Sequence, residues 1–254
     1  MHGQLCPHVQ RTGSPVVSIE GVSPMKHSFS VKQAKHGSCL TMKKFTFAGI
    51  AALASTLTTS ALAHHPMGGA TPATWSEGLL SGIGHPIIGV DHLAFVIAVG
   101  IAATLAGSRF LSPLAFVGAT VVGTGLHLAA FNLPVVELMI ALSLVVLGAV
   151  VFIGKKMPVA ALAGIFAIAG LFHGFAYGEA IFGAEATPLV AYLAGFGLTQ
   201  YAIAVGAGTA IAVMLGKAQD WVDNVPARIA GGVVAGAGAL LVSEHALATL
   251  SLAG

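Results

Sequence analysis

His85-Pro86-Ile87-Ile88-Gly89-Val90-Asp91-His92 opens a long apolar run, so two imidazoles and a carboxylate stand where hydrocarbon side chains are expected. Composition says what kind of environment surrounds them. Of the 254 residues, 56% are hydrophobic and 8% charged, at a mean hydropathy of +0.90. Soluble domains carry about 25% charged residues. This is the composition of a polytopic membrane protein, and ionisable groups inside a membrane segment are costly and mark functional sites by default. The net charge of +2 includes Arg11, Lys26, Lys32 and Lys35, all before position 42, and it makes no case for nucleic acid as a partner. Both cysteines, Cys6 and Cys39, lie in that same segment. From His64 onward neither a disulfide nor a thiolate metal site is available.

Working outward from the motif, a helix that crosses a bilayer needs about 20 apolar residues. Six runs qualify, at about 79–106, 111–131, 135–153, 159–182, 188–215 and 227–251. The breaks hold Gly, Pro or charge, as at Gly107-Ser108-Arg109 and Gly154-Lys155-Lys156-Met157-Pro158. The expected architecture is therefore all-α, a bundle of six transmembrane helices over 79–254, with short loops and chain neighbours packed antiparallel. Arg109, Lys155, Lys156, Lys217 and Arg228 lie in or beside the first, third and fifth loops, and the second and fourth have no Lys or Arg. By the positive-inside rule the odd loops are cytoplasmic. Small residues pair along the runs, as at Gly123 and Gly125, Gly174 and Gly178, Gly206 and Gly208, or Gly232 and Gly236, a signal for close helix packing in lipid. Gly216-Lys217 lacks the rest of a phosphate-binding loop, so no ATP-driven engine is visible.

The N-terminal region reads differently. Residues 1–41 are polar and irregular, as expected of an over-extended gene start or a disordered extension. Met42-Lys43-Lys44, the apolar stretch Phe45 to Leu57 and Ala61-Leu62-Ala63 make a signal peptide over 42–63. Cleavage after Ala63 exposes His64 and His65 ahead of a short periplasmic linker over 64–78. Both mature termini are then periplasmic, with the helices in a bacterial inner membrane.

On this topology the polar residues collect at one depth. His85, Asp91, His92, His127, Glu137, His173 and Glu179 fall in the outer half, with Gln200 toward the middle and Glu244 and His245 near the outer end of the last run. The set holds acids and imidazoles without Lys or Arg. A carboxylate in low dielectric must take a proton, pair, or hold a cation. Imidazole with carboxylate suits Ni(II), Co(II), Zn(II) or Cu(II). His85 and His92 are seven residues apart, about 10 Å along a continuous helix, too far to share an ion. An irregular backbone is expected near 85–90, where Pro86 and Gly89 can break the helix. Asp91 either contacts the ion or orients an imidazole. Each residue also has a plainer reading: His85 as a helix end, His127 and Tyr177 as interfacial rings, and Glu137 as a helix-start acid.

His85-Pro86-x-x-Gly89-x-Asp91-His92, followed by Gly100, resembles the signature of the HupE/UreJ family, membrane proteins associated with hydrogenase and urease gene clusters. Phe172-His173-Gly174-Phe175-Ala176-Tyr177-Gly178-Glu179 is similar to that family's second motif. The resemblance covers about 42–254. It implies a nickel or cobalt permease that supplies hydrogenase or urease maturation. His85, Asp91 and His92 are then the metal-contacting candidates, with His173 and Glu179 second. Val96 stands where many members have Met, and Tyr177 where many have a second His.

The expected function is secondary transport of Ni2+ or Co2+, with Zn2+ open and no permanently bound cofactor. His127, Glu137, Tyr177, Gln200, His64 and His65 are secondary site candidates. Two rivals remain: an intramembrane metal-dependent hydrolase, against which no buried Ser or Cys and no His-Glu-x-x-His pattern is expected to accompany the site, and a metal-binding accessory protein that moves nothing.

Overall fold

The computed structural model describes residues 70–215 and 225–252. Among them are seven helices and no strand: α1 (Trp75–Ile88), α2 (Val90–Leu105), α3 (Ser112–Leu128), α4 (Val136–Ile153), α5 (Val159–Glu179), α6 (Ala186–Leu215) and α7 (Val225–Leu252). The signal peptide expected over 42–63, residues 1–41, and His64 and His65 lie outside the described residues.

Among the described residues, the break expected within the first of the six runs is present. The first expected run is two helices, α1 and α2, bent by 79° at Gly89. Four helices, α4 to α7, are long and apolar enough to cross a membrane, and a fifth span is made if the bent pair counts as one. Helix α3, at 17 residues, is shorter. The chain is a membrane protein by the length and apolarity of these helices.

Local chemistry explains the ends. Helix α1 starts at a capping box: Glu77 N–H donates to Thr74 Oγ1 at 3.2 Å, and the Glu77 carboxylate accepts from Thr74 N–H at 3.2 Å. Thr74-x-x-Glu77 is a sequence-level start signal, and it places the helix four residues ahead of the expected boundary at 79. The break near 85–90 is confined to Gly89, whose backbone is extended (φ −69°, ψ 100°), while Pro86 sits inside α1. Any residue can adopt that φ. Glycine is needed there for room, because a Cβ would lie 2.7 Å from Cδ2 of His92.

Chain neighbours are also not the closest partners. The tightest pairs are α3 with α5, α4 with α7 and α1 with α6. Gly170 faces Phe116 and Gly178 faces His127, so α3 and α5 run parallel. Gly78 faces Pro188 and Gly82 faces Tyr192, so α1 and α6 also run parallel, whereas Gly148 faces Ala235 and Gly238 faces Ala141 in the antiparallel α4·α7 pair. Lipid tails are as apolar as leucine, so helices associate by packing rather than by expulsion from water. Glycines that let one backbone touch another supply that packing.

Helix α2 is the hub and touches every other helix. Its buried residues Phe95, Val96, Val99, Ile101 and Leu105 anchor the main core cluster. Farther along, Gly100 lies against Ala204 and Gly208 against Gly100 and Thr104. One helix, α6, thus runs beside both halves of the broken span.

Candidate metal centre

The bend brings the C-terminal end of α1 and the first turn of α2 together inside the bundle. His85 lies on α1, His92 on α2 and His173 on α5, and they are 3%, 2% and 0% exposed. Nδ1 of His92 is 2.8 Å from Nδ1 of His173, a hydrogen bond between two buried imidazoles. The His85 and His92 ring centroids are 6.0 Å apart, edge to face. A continuous helix would have kept those two rings about 10 Å apart along its axis.

Two hydroxyls complete the cluster, and neither was read from the sequence. Tyr192 Oη lies 2.8 Å from Nδ1 of His85 and donates to the Tyr177 carbonyl at 2.9 Å. Ser143 Oγ lies 2.9 Å from Nε2 of His173 and donates to the Ile140 carbonyl at 2.6 Å. No buried serine was expected beside the site; Ser143, half-buried on α4, touches it. The signal available beforehand was a hydroxyl or phenol inside an otherwise apolar run, where a buried polar group needs a partner.

Tyr177 forms the wall of the cluster. Its ring lies 4.7 Å from that of His85 and 4.5 Å from that of His92, and its own hydroxyl is buried without a hydrogen-bond partner. Phe95 packs on His173 from the other side at 4.5 Å. The surroundings are aromatic and buried, which strengthens any electrostatic interaction made inside them. Asp91 is half-buried in the first turn of α2, where the helix dipole favours an acid.

The other candidates lie apart from this cluster. Glu179, Glu137 and Glu244 are exposed. His173 and Glu179, from one motif, point in different directions: one into the core, the other to the surface. His127 is half-buried against Phe175, at 4.6 Å, and Phe182. Gln200 is fully buried, with Nε2 3.4 Å from Thr120 Oγ1 and Oε1 without a hydrogen-bond partner. His245 bonds the Leu241 carbonyl of its own helix.

The arrangement offers imidazole nitrogens and one nearby carboxylate, a donor set that fits a borderline divalent cation. Among the described residues, no three His, Cys, Asp or Glu side chains converge on one point as they stand. Described basic residues lie at the opposite helix ends: Arg109 follows α2, Lys155 and Lys156 follow α4, and Arg228 caps that end of α4 through the Phe152 carbonyl at 3.1 Å.

Comparison with known proteins agrees with this picture. The family model described as HupE / UreJ protein matches residues 51–241. Protein HupE of Rhizobium leguminosarum bv. viciae is 38% identical over 190 residues, which is 74% of this chain and 96% of that protein. No solved structure matches. The family match spans every residue of the imidazole cluster and the broken span that assembles it, and the chain belongs to the HupE/UreJ family.

Proposed function

We propose that the protein is a secondary permease for divalent nickel or cobalt, feeding the maturation of a hydrogenase or urease. The observation that carries this reading is the buried meeting of His85, His92 and His173 at a break in a membrane span. Discontinuous helices at mid-membrane sites are a recurrent device of transporters. In this reading the leader over 42–63 is cleaved, the protein sits in the inner membrane, and the cluster faces the periplasm. A divalent ion exchanges part of its water for imidazole and the Asp91 carboxylate, then passes inward. The membrane potential contributes about 2.3 kcal/mol per charge per 100 mV, so about 4.6 kcal/mol for a divalent ion. That corresponds to roughly a thousandfold accumulation without ATP.

The hydrolase reading is weakened by the direction of one hydrogen bond. Ser143 gives its hydrogen to the Ile140 carbonyl, so His173 is not placed to activate it as a nucleophile. The deciding experiment is uptake of radiolabelled nickel by proteoliposomes holding the purified protein, under an inside-negative potential, with cobalt and zinc as competitors. Potential-dependent accumulation is expected. Binding without accumulation would leave an accessory protein, and no effect of the potential would remove the proposed driving force.

A second expectation follows from the bend. Gly89→Ala keeps the backbone conformation but sets a methyl group 2.7 Å from the His92 ring. The ring must shift, and uptake is expected to fall about tenfold, the scale of losses seen when a ligand's support is disturbed. Circular dichroism of the purified variant should match the wild type. Full uptake would show that the His92 position is not critical.

A further inference from the structure

Tyr192, Phe196 and Gln200 stand four residues apart on α6 and so share one face of that helix. The face begins at the imidazole cluster. Tyr192 Oη touches His85, and the Phe196 ring lies 5.4 Å from that of Tyr177, the wall of the cluster. Gln200 follows two turns beyond Tyr192, about 12 Å along the axis. The next residue, Tyr201, reaches the Phe110 carbonyl at 3.1 Å, in the α2–α3 turn that carries Arg109. Gln200 therefore sits between the imidazoles and that turn.

Its amide is only half satisfied. Gln200 is fully buried, its Nε2 donates to Thr120 Oγ1 at 3.4 Å, and its Oε1 has no hydrogen-bond partner among the described residues. Turning the amide over offers no remedy. Thr120 gives its hydrogen to the Val117 carbonyl at 2.8 Å, an ordinary helix bond for threonine that Thr104 and Thr124 also make, so toward Gln200 it only accepts. The buried hydroxyls of Ser81, Ser112 and Tyr177 lack partners too, but a hydroxyl can rotate its hydrogen toward a carbonyl. An amide oxygen accepts only, and the backbone N–H groups of a helix interior are already spent on the helix. This oxygen calls for a donor or a cation that the surrounding helices do not supply.

We propose that Gln200 is a transfer site on the inward path: its amide oxygen receives the divalent cation as the ion leaves the imidazoles toward the α2–α3 turn, while Thr120 holds the amide. The cation in this role rests on the permease reading. Imidazole suits Ni2+ better than a carbonyl oxygen does, and an ion moves on only through sites weak enough to leave. A lone amide oxygen meets that condition, where a further imidazole or carboxylate would detain the ion.

The test uses the full chain, in detergent and in proteoliposomes. Gln200→Leu removes the unpaired oxygen at similar volume. Its thermal midpoint should equal or exceed that of the wild type, because a half-satisfied buried amide is costly, and its equilibrium Ni2+ affinity should be unchanged. Potential-driven Ni2+ uptake should nevertheless fall at least about tenfold, the scale for losing one polar contact with a charge. Gln200→Glu, isosteric with glutamine when protonated, offers a carboxylate at the same point, so Ni2+ should raise its thermal midpoint by more than it raises that of the wild type. That readout depends neither on uptake nor on the leucine variant. Wild-type uptake in Gln200→Leu would mark a hydration site only and overturn the proposal while the permease reading stands. Equal Ni2+ shifts in Gln200→Glu and the wild type would do the same, as would uptake in Gln200→Leu lost only in proportion to Ni2+ affinity. A wild type that accumulates no Ni2+ would overturn the permease reading and the transfer role with it.

Discussion

His92→Ala is expected to reduce radiolabelled nickel uptake to background at unchanged protein level. The imidazole has two roles in the proposed site: it is a candidate ligand, and it occupies Nδ1 of the fully buried His173. Alanine removes the ligand atom and leaves that nitrogen unsatisfied in a buried environment, at a cost of about 1–3 kcal/mol. The cost to folding is modest beside the loss of an ion's direct ligand. Asp91→Asn separates the two contributions further. It keeps the size of the side chain and removes only the charge. The fold should lose the dipole interaction at the start of α2, about 0.3–1 kcal/mol. A divalent cation in the proposed site, however, would lose the Asp91 carboxylate, the one beside the imidazoles among the described residues. Uptake in whole cells, with membrane protein quantified by immunoblot, checks both variants. Undiminished uptake in both would sink the assignment of the site.

Gly174→Val should destabilise the bundle more than any change at a lipid-facing glycine. A Cβ at 174 would stand 2.0 Å from the Thr120 carbonyl oxygen and 2.5 Å from its Cα, so α3 and α5 must separate. The Thr124 hydroxyl, which reaches the Gly174 carbonyl at 2.8 Å, would lose that bond. Overpacking of a close core costs about 1–3 kcal/mol. The upper end applies here because backbone rather than a flexible side chain opposes the new methyls. Separation of α3 and α5 also displaces His173, the next residue in the chain, so uptake should fall with stability. Gly125→Val is the control: nothing lies within 4 Å of its Cβ position, and its thermal midpoint in detergent should stay near that of the wild type. Equal midpoints for the two variants would contradict the packing described for α3 and α5.

Composition and the spacing of apolar runs were enough to read a helical membrane protein from this sequence, because a bilayer demands long uninterrupted helices and few charges. His85, His92 and His173 could be singled out for the same reason: an imidazole in an apolar run is conspicuous in one dimension. Thr74-x-x-Glu77 was equally legible as a helix start and sets the true boundary of α1. The glycine pairs were visible too, but not which member of each packs. Gly123 and Gly208 face backbone or side chains of neighbouring helices, while Gly125 and Gly206 face open space.

Tertiary structure alone decided the rest. That the bend falls at Gly89 and not at Pro86 is seen only in the folded backbone, where Pro86 stays inside α1 and Gly89 is extended. That Ser143 and Tyr192 belong to the site depends on which helices meet, and a hydroxyl in an apolar run does not announce its partner. That Glu179 leaves the site depends on the rotation of α5, fixed by the glycines that press it against α3. A sequence lists which groups are costly to bury; only the packing of helices determines which of them are buried together.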